Sequence, residues 1–448
     1  MIQTAQEPLS KAPPIAPTRT RFWVIVFAVT LAVVTYIDRV CISQAAPFIR
    51  QDLGLSEVQM GLAFAVFFWT YALFEIPGGW MGDRWGARRV LMRVVVWWSF
   101  FTVATGWAWN LASLVTARAL FGAGEAGCFP NVTKAFATWL PRGERVRAQG
   151  LMWLSARWGG AFTPLLVILV LKFLSWRQAF GAFGLLGVIW AVFFYRWYRD
   201  DPRDNPHVNA AELALIPTAS ETAPVHQAVP WRKLLRSKTV WLLCAQYAFL
   251  SYGWTFYITW LPTYLKEARG LQLGTGAVLA GIPLLFGGVG SLCSGFIGGH
   301  FERKGGNARR IRRLMACAGC LGAAGCTAVS VSIHSPLTAM IVMGLASFFM
   351  DLAVPPSWAV CMDVGGRACG TLSGGMNMMG NLAGSLGPLA TGFLLVRTGH
   401  NWDVVLYTFA GAYFMGTFCW MFLDPVTPLL PATPVRGSEV VAVRETGN

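Results

Sequence analysis

The sequence predicts an all-α integral membrane protein with twelve transmembrane helices in two six-helix, pseudo-symmetric halves. Composition is the first observation: the 448 residues are 55% hydrophobic and 13% charged, whereas a soluble domain is about 25% charged. The second is recurrence. Apolar stretches long enough to cross a bilayer are expected at 22–44, 58–80, 90–110, 113–139, 148–172, 178–198, 239–265, 273–299, 313–333, 336–361, 370–396 and 403–423. The third is one long internal hydrophilic segment, which leaves six spans on either side. The chain then divides into a tail at 1–21, a bundle at 22–198, a central loop at 199–238, a second bundle at 239–423 and a tail at 424–448.

Orientation follows from the short loops. Thirteen Lys and Arg residues, among them Arg84, Arg142, Arg145 and Arg309, fall on one side and six on the other. The positive-inside rule therefore expects both termini in the cytoplasm of a cell whose inner membrane the chain spans. The net charge of +15 is confined to these clusters, so no nucleic-acid partner is expected; lipid surrounds the protein, which is expected to be a monomer. The apolar stretch from Phe22 reads as an uncleaved first span, because eleven more follow it. Ten cysteines lie in or beside the spans and form no disulfide framework. Five scattered histidines without a metal-binding spacing leave metal catalysis no footing, and no enzymatic activity or cofactor is expected.

The first span carries Asp38 and Arg39 after sixteen uncharged residues, Phe22 to Ile37. Charges at that depth are costly and mark a substrate or ion pathway. Adjacent residues point about 100° apart on a helix, so the two can serve different partners. Arg39 presents a planar fork suited to a carboxylate. Its bland alternative is a structural ion pair, Arg39 with Glu125 or Asp38 with Arg118. Glu75, late in the second span, is a further acid at membrane depth, expected to pair with Lys134 near the inner gate or to join a proton route.

The loop after the second span reads Gly79-x-x-x-Asp83-Arg84-x-Gly86-x-Arg88-Arg89, and a worn copy, Gly295-x-x-x-Gly299-His300 with Arg303, follows the eighth. Asp83 can accept from helix N-termini and arginines and so latch the inner face. The fourth span holds Arg118 and Glu125, seven residues apart and therefore on one face at 3.6 residues per turn. Lys134 falls on the opposite face of a continuous helix, where its stem would snorkel to the headgroups. The glycines of Gly122-Ala-Gly124-Glu-Ala-Gly127 spell a dinucleotide-binding pattern, but no strand precedes them, so they read as helix-packing residues. The fifth span adds Ser155 and Arg157, which either grips a second carboxylate of the ligand or neutralises Glu125 or Asp351.

The loop and the six-plus-six layout resemble the major facilitator superfamily. Within it the chain is similar to the anion:cation symporter family, through Tyr36-Ile-Asp38-Arg39, the stretch with Arg118, Glu125, Pro130, Trp139 and Arg145, Trp260-Leu-Pro262-Thr-Tyr264, and Gly374-Gly375-Met-Asn377-Met-Met-Gly380-Asn381. The resemblance implies import of an organic anion, most often a sugar acid such as a hexuronate, aldonate or aldarate, coupled to protons, with the proton gradient as the energy source. It places substrate binding on Arg39 and proton handling on Asp38 and Glu125, with Arg118 beside them. Tyr36, Tyr71, Trp358 and Asn377 join as further site residues. Arg157 departs from the neutral polar residue expected there. Two acids also suit the arithmetic: a monoanion with one proton moves no net charge, so the membrane potential, about 2.3 kcal/mol per charge per 100 mV, helps only if a second proton enters. An anion exchanger, a drug efflux pump, and a membrane sensor of the same fold are the alternatives.

Overall fold

The computed structural model describes residues 16–216, 229–271 and 279–429. Within them the first half comprises α1 (Phe22–Leu53), α2 (Glu57–Trp85), α3 (Ala87–Gly106), α4 (Leu111–Glu125), α5 (Cys128–Trp139), α6 (Arg142–Leu171) and α7 (Trp176–Trp197). Two short helices of the central segment follow, α8 (Ala210–Leu213) and α9 (Trp231–Arg236). The second half comprises α10 (Lys238–Thr259), α11 (Leu261–Glu267), α12 (Ile282–Arg303), α13 (Ala308–Val331), α14 (Pro336–Gly365), α15 (Cys369–Arg397) and α16 (Trp402–Phe422). Eight helical stretches among the described residues are long and apolar enough to cross a membrane, one of them, Pro336–Arg397, holding two successive helices. This is a multi-pass membrane protein.

Local chemistry sets the helix ends. Ser56 with Gln59, Asn110 with Ser113 and Ser175 with Gln178 form reciprocal capping boxes that satisfy the first free amides of α2, α4 and α7. Gly54 closes α1 in the left-handed conformation, so this helix runs nine residues beyond the expected 44. The first residues of the expected span at 273–299 lie outside the described segments.

Two expected spans are broken. The stretch 113–139 divides into α4 and α5 at Ala126 and Gly127, where Gly127 has φ +83°. An L residue rarely adopts that backbone, and an added Cβ there would lie 2.6 Å from the Gly78 Cα. The stretch 239–265 divides at Trp260 into α10 and α11, with Pro262 in the first turn of α11, where a proline is tolerated because its missing amide has no intrahelical partner.

Counting α4 with α5 and α10 with α11 as single spans, packing repeats between the halves. In each, the first span lies along the fifth, the second along the fourth and the third along the sixth. Across the halves, α2 lies along α15 and α6 along α12, with Gly150 against the Ser291 carbonyl and Gly295. The small residues let the backbones approach closely, as membrane helices require when lipid is as apolar as the side chains.

Both ends of the described chain and the central segment meet at one end of the bundle. Thr18, Thr20 and Arg21 hydrogen-bond to the buried Glu212 carboxylate of α8, and Arg21 also pairs with Glu144 at 2.9 Å. At the same end the Leu429 amide donates to the Val364 carbonyl. We call this the basic end.

Candidate functional site

The basic end is tied shut. Asp83, at the close of α2, accepts from the amides of Gly370 and Thr371 at 2.9 and 2.6 Å and from the Thr371 hydroxyl at 2.7 Å. These donors begin α15, so the carboxylate caps a helix of the opposite half, where the helix dipole favours negative charge. Its cation is Lys134, at 2.9 Å, and not an arginine. Lys134 is buried, contrary to its expected path to the headgroups, because the break at Gly127 resets the helical phase and turns it toward α2. A second tie joins Arg145, Asp363, Arg312 and Glu302 into one buried network spanning the halves. Gly79 lies against the Gly370 carbonyl, where a Cβ would sit 2.0 Å from the oxygen. Arg84 and Arg88 stay outside this latch: Arg84 covers Trp80, while Arg88 donates to the Tyr195 carbonyl, and Gly86, with φ +87°, joins α2 to α3.

Farther along the bundle axis the halves meet at Arg157 and Asp351, a forked pair with both contacts at 2.8 Å. The Arg157 guanidinium also lies 3.6 Å from the Trp254 ring centroid. Both oxygens of Asp351 are engaged, so Arg157 braces α6 against α14. Next to it the Trp158 indole donates to the Leu285 carbonyl at 3.2 Å. Beyond that level, toward the end opposite the termini, no hydrogen bond or ion pair among the described residues joins the two halves.

Arg39 of α1 is the cation at the centre of the first half's polar cluster. Its Nε donates to Glu125 Oε1 at 2.5 Å, while Nη2 is buried without a hydrogen-bond partner. The side chain is 18% exposed and the carboxylate 1%. Four rings surround the guanidinium, with Tyr71 at 4.4 Å, Phe67 at 5.5 Å, Phe129 at 5.8 Å and Tyr36 at 5.9 Å. Cation–π attraction to such rings holds the cation without consuming its hydrogen-bond donors. The positions come from α1, α2 and α4, with Phe129 supplied by α5 directly after the break. Phe129 then stacks on Trp153 at 5.1 Å, and Trp153 meets Trp358 at 5.5 Å. This aromatic floor separates Arg39 from the ties of the basic end.

Asp38 points away from Arg39, as the angular offset expects. One oxygen accepts from the Trp98 indole of α3 at 3.1 Å, and the other has no partner. Arg118 lies within electrostatic reach of Asp38 and Glu125 but makes no ion pair with either, and its guanidinium rests 4.4 Å from the Phe121 centroid. Of the two structural ion pairs left open above, Arg39 with Glu125 forms. Asn377 of α15 donates to Glu75 at 2.5 Å and lies 3.4 Å from the Tyr71 hydroxyl. Glu75 therefore pairs with an amide and not with Lys134. Trp358, itself part of the floor, donates to the Tyr247 hydroxyl at 3.1 Å and is fully buried.

Arg39, Tyr36, Tyr71, Glu125 and, through Tyr71, Asn377 are thus brought together. Asp38 and Arg118 sit behind them, and Arg157 and Trp358 are committed to other contacts. Phe67, Phe129, Trp98, Tyr247 and Asp363 escaped the sequence reading. Aromatic residues occur in most spans and carry no local mark, whereas Asp363 could have been found as a lone acid at the end of an uncharged span.

The Major Facilitator Superfamily matches residues 28–388. The chain is 34% identical to the probable sulfoacetate transporter SauU of Cupriavidus necator, over 91% of this chain and 95% of that one. It is 33% identical to the hexuronate transporter of Bacillus subtilis over 88% and 90% of the two, and 29% identical to the D-galactonate transporter of Escherichia coli over 91% and 96%. Among solved structures it resembles the proton:xylose symporter XylE with a TM-score of 0.73 at 14% identity, covering 91% of this chain and 97% of that one; the likeness there is one of fold.

Proposed function

The chain belongs to the major facilitator superfamily, and we propose that this transporter imports a small organic anion, a sugar acid or an acid of similar size, together with protons. The relatives named for hexuronate, galactonate and sulfoacetate all carry compact acids, which supports the anion. The observation that carries the reading is Arg39: a partly exposed cation at membrane depth, ringed by aromatics, with one guanidinium nitrogen unpartnered and another held by Glu125. A carboxylate reaching the partly exposed guanidinium competes with Glu125 for the same charge. Glu125, relieved of part of that charge, then takes a proton.

Charge counting supports protons as the companion. The membrane-depth set holds Arg39, Arg118 and Arg157 against Asp38, Glu75, Glu125 and Asp351, three positive against four negative, or −1 with every group ionised. A monoanion would raise this to −2 inside the bilayer, where each bare charge costs at least about 2.5–3.5 kcal/mol. Protons on the carboxylates remove that cost. Asp38 and Glu125 are the groups to which we assign the coupling, with Tyr36, Tyr71 and Asn377 beside the anion. In this reading the basic end faces the cytoplasm and the structure is outward-facing.

The test is uptake of radiolabelled glucuronate, galactonate and galactarate into proteoliposomes, with an inward proton gradient and the potential clamped by valinomycin. Gradient-driven accumulation should disappear in Arg39→Ala. Asp38→Asn and Glu125→Gln should lose accumulation but keep counterflow. Full pumping by the double variant Asp38→Asn/Glu125→Gln would refute the coupling, and absence of uptake of all three acids would refute the substrate class.

A further inference from the structure

We propose that Glu75 is a third proton-binding group of the transport cycle, linked through Asn377 to the substrate site and opened to the basic end when the two halves part; this rests on the proton-coupled reading above. Buried carboxylates at membrane depth among the described residues fall into two kinds. Asp83 has Lys134, Asp351 has Arg157, Asp363 has Arg145 and Arg312, and Glu125 has Arg39. Each is paired with a cation, as a carboxylate that serves only to hold membrane helices together must be. Glu75 and Asp38 have neutral donors alone, the Asn377 amide and the Trp98 indole. In each, the second oxygen is buried with no hydrogen-bond partner. That is an unstable way to keep a negative charge and a natural way to hold a proton.

Position distinguishes Glu75 from Asp38. Asp38 lies wholly within the first half, whereas Glu75 stands on the α2–α15 seam. The Glu75 carbonyl lies so near Gly374 that a Cβ there would sit 2.5 Å from it, and Gly79, one turn on, touches Gly370. The groups that face Glu75 are Tyr71 on its own helix, Asn377 on α15, Arg39 on α1 and Glu125 on α4, with Cys128 of α5 nearby. Arg39 is engaged by Glu125, so it gives Glu75 no ion pair. Parting of α2 from α15 at the basic end would remove Asn377 and admit water to both oxygens. A hydronium ion gives its proton to Oε2 in one state of the cycle and water at the basic end takes that proton back as hydronium in the other, so only O–H bonds are exchanged. While Glu75 is ionised it holds the Asn377 amide by a charge-assisted hydrogen bond; once Oε2 is protonated, Oε1 accepts only as a neutral carbonyl and holds that amide less tightly.

The experiment is infrared difference spectroscopy of the full-length protein in lipid nanodiscs, acid minus alkaline. The wild type should show protonated-carboxyl bands that titrate, and Glu75→Gln, which keeps an oxygen for Asn377, should lose one of them. Asn377→Leu should shift the frequency of that same band, and this arm stands alone if Glu75→Gln does not fold. A difference spectrum that Glu75→Gln leaves unchanged overturns the proposal, as does a band that Asn377→Leu does not move. Failure of the underlying reading appears separately, as absence of gradient-driven uptake of glucuronate, galactonate and galactarate by the wild type, and leaves the titration legible.

Discussion

Asp83→Asn should loosen closure of the basic end, by an amount the contacts allow to be worked out. Three hydrogen bonds reach Asp83 from the other half, at 2.9, 2.6 and 2.7 Å. The fourth, from Lys134, belongs to the same half and survives opening. Only the three count toward the difference between closed and open. Asparagine keeps one acceptor oxygen and turns an NH2 group toward the donors, so it loses at least one of the three. A hydrogen bond to a charged group is worth about 1.5–3 kcal/mol net; a loss of about 2 kcal/mol shifts the equilibrium roughly thirtyfold toward the open form. Lys134 adds to this in the same direction, because its ammonium keeps the Arg367 carbonyl at 3.4 Å but is left buried without a counter-charge while the end is closed. Cys369 offers a native reporter. It begins α15, is fully buried beside the latch, and becomes reachable only when the end opens. A timed pulse of N-ethylmaleimide followed by mass spectrometry of the Cys369 peptide should show labelling faster by that factor in Asp83→Asn. An unchanged rate in folded protein would mean that the latch does not control closure.

Three further outcomes are expected. Arg39→Lys keeps the charge but loses the fork and the ring contacts, so half-saturation in galactonate counterflow should rise about tenfold or more for each 1.4 kcal/mol of lost binding, while a value equal to the wild type would remove Arg39 from the site. Arg157→Met strands the Asp351 carboxylate and should destabilise the protein by about 3–5 kcal/mol, whereas Arg157→Met/Asp351→Leu should recover most of the thermal stability in detergent; a double variant as unstable as the single would show that Arg157 is no brace. Gly127→Ala forces a Cβ into a left-handed backbone and onto Gly78, a strain of at least about 1 kcal/mol from the backbone alone, so a lowered unfolding temperature is expected, and an unaltered one would mean the break at α4–α5 can relax.

Much of this protein is legible in composition. Hydrophobic burial and the cost of charge in a bilayer act on local stretches of chain, so the spans, the basic loops and the exceptional character of Asp38, Arg39, Arg118 and Glu125 could be read without a structure. The Asp83 motif was legible for the same reason, since an acid among glycines and arginines at the end of a span marks a group poised to cap something, although these residues to Trp85 complete α2 and form no loop. Partners were not. Arg39 and Glu125 are 86 residues apart, Arg157 and Asp351 194, and Glu75 and Asn377 302, and nothing local in the chain ranks Lys134 above Asn377 as the partner of Glu75. The break at Gly127 decided several of these at once: a continuous helix would have sent Lys134 to the lipid, whereas the left-handed glycine sends it to Asp83 and brings Phe129 over Arg39. Which charges lie at membrane depth is a property of the sequence, because burial cost is local. Which of them are neutralised by a cation and which must find a proton was decided only by the packing of helices against one another.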